Sequence, residues 1–164
     1  METLWAPWRA SYVMEEKPPG CVFCVLPAGG DDAAAHILYR GTHCFVILNA
    51  YPYNNGHLMV VPYTHIADLA DLDGATAGEM MALAQRSLIV LRETLRPTGV
   101  NVGVNQGTAA GAGIADHVHL HVVPRWVGDS NFMTVVGGTR VLPQALLDSY
   151  ALLAPAFAAA GRAT

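Results

Sequence analysis

The sequence predicts an α+β domain: about five strands in a mostly antiparallel sheet, one long helix covering one face, and a second helix near the C-terminal end. Three observations lead there. Short apolar runs alternate with turn residues rather than with helical crossovers. One long stretch carries its apolar residues at helical spacing. One segment, His117-Val118-His119-Leu120-His121, alternates polar and aliphatic side chains with the period of a strand.

Taken in order, residues 1–20 hold Trp5, Pro7, Trp8, Tyr12, Pro18 and Pro19 and are expected to form an ordered arm packed against the body. Residues 26–35 read as a loop. Residues 36–39 and 44–48 read as a hairpin across Arg40-Gly41-Thr42, and residues 50–56 as a loop by their turn residues. Residues 58–61 form a short strand closed by Pro62. The long helix follows: Thr76-Ala77-Gly78-Glu79 has capping-box spacing, and Met80, Ala84, Leu88, Leu91 and Leu95 recur at helical intervals. Pro97 ends it, with Gly99 just beyond. Residues 100–105 and 117–124 are two further strands joined by a glycine-rich loop from Gln106 to Asp116. Residues 132–136 read as a short strand, and residues 143–159 as the C-terminal helix with Pro143 near its first turn. There are no internal repeats, so residues 1–164 are expected to form one domain, with 127–164 as a C-terminal extension.

A chain of 164 residues suits one domain with a substantial core. At 52% apolar and 13% charged it is greasy, yet its apolar runs are broken by Gly, Pro, Asp and His well short of a membrane span. A net charge of -4 argues against a broad nucleic-acid surface but leaves room for a small phosphate-bearing ligand. The first residues lack the basic leader and apolar stretch of a signal peptide. Three cysteines, two of them in a Cys-x-x-Cys pair, do not suggest a disulfide framework. Cytoplasm is the expected location.

The histidine row is the candidate site. On a strand its imidazoles share one face, while Val118 and Leu120 are expected to bury against the long helix. A polar solvent-facing strand is the plain alternative, and three of seven histidines at alternate positions weigh against it. Neutral imidazole attacks phosphorus well at neutral pH and gives a labile phosphoramidate. Such a site needs one ring in a fixed tautomer, a neighbour that assists the leaving group, and donors for negative charge. The central residue, His119, is flanked on both sides and is the natural nucleophile. The loop before the strand, with Asn105, Gln106, Gly107, Thr108 and Gly113, offers amide, hydroxyl and backbone N–H donors to a phosphate.

Cys21-Val22-Phe23-Cys24 leaves three readings: a redox pair, two packed thiols, or half of a tetrahedral zinc site completed by histidines, for which His65 and His117 are the candidates. Zinc is favoured, because no thioredoxin-like context surrounds the pair. Cys44 reads as core. His57, next to Gly56 at the start of a strand, reads alone as a capping or packing residue, and His36 and His43 as structural.

His117-Val118-His119-Leu120-His121-Val122-Val123 resembles the signature of the histidine triad family, three histidines alternating with apolar residues. Further blocks resemble the family in the same order: Asn49, Gly56-His57-Leu58-Met59-Val60-Val61-Pro62 with His65, and Asn105-Gln106-Gly107. The opening Leu4-Trp5-Ala6-Pro7-Trp8-Arg9, the cysteine pair and the tail from Pro124-Arg125-Trp126 to Met133 are similar to the branch of bacterial diadenosine tetraphosphate phosphorylases of actinobacterial type. The resemblance implies a homodimer with a five-stranded sheet and two helices. It implies that His119 attacks the α-phosphate of a dinucleoside polyphosphate, that His121 and His57 contact phosphate or support His119, and that Gln106 contacts the phosphate chain or leaving group. It implies Asn49 at the ribose hydroxyls and a structural zinc on Cys21, Cys24, His65 and His117. Many hydrolytic relatives carry Gln or Ser where this chain has Ala112-Gly113-Ile114. The small residue at Gly113 would admit inorganic phosphate as acceptor in place of water. Two other functions stay open on the residues: hydrolysis of nucleoside phosphoramidates or dinucleotides, and a module whose histidine row holds a metal. For the latter, side chains two apart on one strand lie roughly 6–7 Å apart, wide for one ion.

Overall fold

The computed structural model describes residues 20–129 and 144–160; nearly all of the expected arm, the strand expected at 132–136 and Pro143 lie outside the described residues. The elements are α1 (Val22–Ala28), β1 (Ile37–Arg40), β2 (Cys44–Leu48), β3 (Leu58–Pro62), α2 (Gly74–Thr94), β4 (Gly99–Val104), β5 (Leu120–Arg125) and α3 (Leu146–Ala160). The strands form one five-stranded sheet in the order β1-β2-β3-β5-β4, and every neighbouring pair is antiparallel. The α+β expectation holds.

Both faces of the central strands are buried, which is why β2 and β3 read as unbroken apolar runs. Alternation sorts their residues. Val46, Leu48, Leu58, Val60, Leu120 and Val122 pack with α2 and α3 through Met80, Leu83, Leu91, Leu153 and Phe157. Phe45, Ile47, Met59 and Val61 point the other way and meet Phe23 of α1. His121 sits opposite Met59 in register and therefore shares that second face.

Four details depart from the sequence expectation. Residues 26–28, expected in a loop, finish α1, which carries Pro27 inside and ends at Gly29. The long helix starts before Thr76: Asp73 is its N-cap, its Oδ1 accepting from the amides of Ala75 and Thr76 at 2.9 Å each. Glu79 does not close a capping box. Its carboxylate accepts instead from the backbone N–H groups of Thr42, His43 and Cys44, fastening the β1–β2 turn to the helix. A Cβ at Gly41 would lie 2.7 Å from Glu79 Oε1 and 2.9 Å from Cys44 O, so the turn needs glycine there. Last, β5 begins at Leu120, and the first two histidines precede it because Val118 donates its amide to Ile66 O, outside the sheet, at 2.7 Å. Val118 is buried, but only Leu120 and Val122 of that segment join the core under the helices.

Cys44 is fully buried, as expected. The loop between β2 and β3 is pressed on the end of α2, where a Cβ at Gly56 (φ 69°) would meet Leu95 Cδ1 at 2.4 Å. Among the described residues, no helix is long and apolar enough to cross a membrane.

Candidate active site and metal centre

The three histidines of the row are buried, and their backbone neighbours give them different proton positions. His119 Nδ1 lies 2.8 Å from the carbonyl oxygen of His117. A carbonyl only accepts, so Nδ1 carries the proton and the lone pair of the neutral ring is on Nε2. Burial holds the His119 pKa below the ordinary histidine value, against the opposing effect of that hydrogen bond. A neutral ring with its Nε2 lone pair available is the nucleophilic form of imidazole.

His121 receives the opposite tautomer through a chain that starts at a backbone amide. Tyr53 N–H donates to His57 Nδ1 at 3.0 Å, which leaves the His57 proton on Nε2. His57 Nε2 then donates to His121 Nδ1 at 2.9 Å, so His121 keeps its own proton on Nε2. Burial, and next the neighbouring His119, push the His121 pKa down to about 4. The His119 and His121 rings stand edge to face with centroids 4.8 Å apart, and Tyr53 stacks on His121 at 5.7 Å. A lone-pair nitrogen and an N–H donor thus stand side by side, the pair that attack on a phosphate requires.

The first histidine of the row belongs to another group. His117 Nε2 donates to Pro62 O at 2.9 Å, so its Nδ1 lone pair turns toward Cys21 Sγ at 3.2 Å, Cys24 Sγ at 3.7 Å and His65 Nδ1 at 3.2 Å. All four donor atoms lie within 4.8 Å of one another. Tetrahedral zinc with bonds of about 2.0–2.3 Å has ligand-to-ligand edges of roughly 3.3–3.8 Å. The donor set and spacing fit that ion. The outward nitrogen of His65, Nε2, faces the Asp116 carboxylate at 3.9 Å, a supporting arrangement common behind metal-bound imidazole. Phe23, between the two cysteines, packs on His117 and His119 with centroids 5.5 and 5.0 Å away.

Of the residues expected at the substrate, Asn49 lies beside the relay: its Nδ2 is 3.4 Å from His57 Nδ1 and its Oδ1 accepts from Tyr51 N–H. A cavity of about 290 Å³ opens next to His121, lined among others by Asn105, Asn101, Gly103, Tyr53 and Arg125. Gln106, Gly107, Thr108 and Gly113 are not among its lining residues. Gln106 Oε1 accepts from Leu69 N–H at 3.1 Å, and Gly107 (φ 77°) leads into a single 3-10 turn over Thr108–Ala110.

Sequence reasoning missed one network in the cavity wall. Arg125 pairs bidentately with Asp129 at 2.6 and 2.7 Å and donates to Asn101 Oδ1 at 2.9 Å. Asn54 donates to the same carboxylate at 2.7 Å and to Pro124 O at 3.1 Å. The available signal was the period of two in Asn101-Val102-Gly103-Val104-Asn105, which repeats on β4 the alternation of the histidine row.

A HIT-domain family model matches residues 31–127. The chain is 42% identical, over 96% of its length and 85% of the relative's, to an AP-4-A phosphorylase of Mycobacterium tuberculosis. Among solved structures it resembles a zinc-bound histidine triad family protein from Mycobacterium smegmatis, with 37% identity and a TM-score of 0.70 over 88% of this chain and 97% of that one. A Plasmodium falciparum diadenosine triphosphate hydrolase shares the fold, with a TM-score of 0.64 at 16% identity over 81% of this chain and 80% of that one.

Proposed function

Because the chain belongs to the histidine triad (HIT) family, its model covering residues 31–127, we propose that it is an enzyme that transfers a nucleotidyl group from a dinucleoside polyphosphate, diadenosine tetraphosphate being the lead substrate, to inorganic phosphate. The observation that carries this reading is the His119 Nδ1 contact with His117 O at 2.8 Å, which leaves Nε2 as the attacking atom. The similarity to an AP-4-A phosphorylase supports the choice of substrate and acceptor.

In the first step the Nε2 lone pair forms a bond to the α-phosphorus, and the bond from phosphorus to the bridging oxygen breaks, releasing a nucleoside triphosphate. The Nδ1 proton stays against His117 O, so the positive charge that develops on the ring rests beside a carbonyl dipole. His121 Nε2–H donates to the phosphate oxygens, held in that tautomer by His57. In the second step an oxygen of inorganic phosphate forms the new bond to phosphorus, the N–P bond breaks and a nucleoside diphosphate leaves with neutral His119 restored. Asn105, Gln106, Gly107, Thr108 and Gly113 contact the phosphate chain, and Asn49 the ribose.

Cys21, Cys24, His65 and His117 hold a structural zinc, which ties α1 to the start of the histidine row without entering the reaction. Residues 1–164 act as one domain, working in the cytoplasm as a homodimer. The edge position of β4 with exposed Val102, and exposed Met81 and Ile89 on α2, supply apolar surface for a second copy.

The test is product identity. Incubation with diadenosine tetraphosphate gives ADP plus ATP only when phosphate is present. AMP plus ATP instead would make water the acceptor, and absence of turnover in either buffer would reject the reading.

A further inference from the structure

We infer that the hollow over Gly103, on the β4 side of His121, is the subsite for the phosphates that leave in the first step and for the phosphate that enters in the second, and that Gly103 sets the size of group it admits. This rests on the proposed reaction and names where its second reactant sits.

Gly103 lies opposite His121 in the β4–β5 register, so a side chain there would point to the His121 face. Asn101 on β4 and Asn105 just past its end flank it at two-residue steps, and Val123 and Arg125 follow His121 at the same step on β5; all line the cavity. Glycine inside a strand weakens it and calls for a reason. The backbone supplies none here, since Gly103, unlike Gly107, has no left-handed φ. A Cβ built on Gly103 meets no atom within 4 Å. What the missing side chain provides is empty space beside the catalytic ring.

The wall of that space suits an anion. His121 offers Nε2–H, and Asn105 a carboxamide. Asn101 has its carbonyl oxygen engaged by Arg125, which leaves its NH₂ as the end that binds a ligand. The Arg125 side chain is 41% exposed, whereas its partner Asp129 is 11% exposed and faces Arg125, Asn54 and the Trp126 amide. Both members of the pair stand in the wall, and the acid's charge there is met by Arg125, Asn54 and the Trp126 amide. His121 links the two places: its ring lies 4.8 Å from that of His119, and it also lines the hollow. In a double displacement the entering oxygen takes the place the leaving oxygen vacated. One hollow therefore serves both the nucleoside triphosphate going out and the phosphate coming in.

The test uses the full chain with Gly103→Val, Gly103→Asn and Gly103→Asp, and two substrates that share the transferred nucleotide: diadenosine tetraphosphate with phosphate, and adenosine phosphoramidate, which releases only ammonia. The ratio of their kcat/KM values is the readout. Valine, at home in a strand, should leave Tm no lower than wild type while the dinucleotide-to-phosphoramidate ratio falls about tenfold or more. Aspartate should lower the ratio about tenfold further than its neutral isostere asparagine and raise KM for phosphate. An unchanged ratio in the valine protein, or equal ratios for Asp and Asn, would overturn the subsite. So would loss of both activities together with a change of oligomeric state, which would assign Gly103 to a protein contact. Calorimetric binding of inorganic tripolyphosphate separates this from the catalytic reading. Binding that weakens about tenfold from Asn to Asp upholds the subsite even if wild type turns over neither substrate. No binding to wild type overturns it.

Discussion

His117 and His119 are two residues apart, both buried, and bonded through the same kind of partner, yet each keeps its lone pair on a different nitrogen. His117 gives its Nε2 proton to Pro62 O and turns Nδ1 toward two thiols and an imidazole. His119 gives its Nδ1 proton to His117 O and keeps the lone pair on Nε2. A backbone carbonyl decides in each case which nitrogen is left to work. The motif alone shows three like residues; the fold puts one in the cysteine–histidine cluster, leaves one with its lone pair on Nε2 and gives one, through His57, its proton on Nε2.

The contrast is broken most sharply by removing one ring and watching the other group. His119→Ala is expected to lose turnover by about three orders of magnitude or more while one zinc per chain remains, measured by kinetics and metal analysis on the same sample. Zinc lost with His119 would mean that the row holds the metal. Cys21→Ser should do the reverse in metal content: zinc is released and Tm falls by several degrees, on the order of 2–5 kcal/mol, because α1 loses its tie to His117. Unchanged zinc stoichiometry in that protein would move the metal elsewhere.

Two smaller effects sharpen the comparison. His121 has a folded-state pKa of about 4, below the ordinary 6.5. The unfolded chain takes up its proton first as pH falls, so this residue's contribution is fully present above pH 6.5 and lost between 6.5 and about 4. His121→Gln should flatten that part of the stability profile relative to wild type, read by urea unfolding at a series of pH values; parallel profiles would contradict it. Glu79→Ala, remote from both groups, should cost roughly 1–3 kcal/mol by releasing the amides of Thr42, His43 and Cys44, with kcat nearly unchanged. A large drop in kcat would show that the β1–β2 turn reaches the site.

What was legible in the sequence follows from the range of the interactions. The histidine row, the cysteine pair and the apolar runs are local patterns, and they located the sheet and the cluster of Cys21, Cys24, His65 and His117. The N-terminus of α2 was misplaced because Thr76 and Glu79 have capping spacing, whereas the partners of Glu79 lie 35 to 37 residues away. α1 was hidden by its brevity and by Pro27 near its end. The Arg125–Asp129–Asn54–Asn101 network joins the β2–β3 loop, β4 and the end of β5, and no window along the chain contains it.

The strand order has a consequence for how the protein comes into being. β5 is slotted between β3 and β4, and the contact of His57 with His121 closes a span of 64 residues, that of Cys21 with His117 a span of 96. Chain closure over such distances is slow, and local hairpins and helices form well before it. The β1–β2–β3 meander and α2 can therefore assemble before the histidine row and β5 are in place. Placing that late segment then sets His121 on His57 and brings His117 to Cys21, Cys24 and His65 in one event.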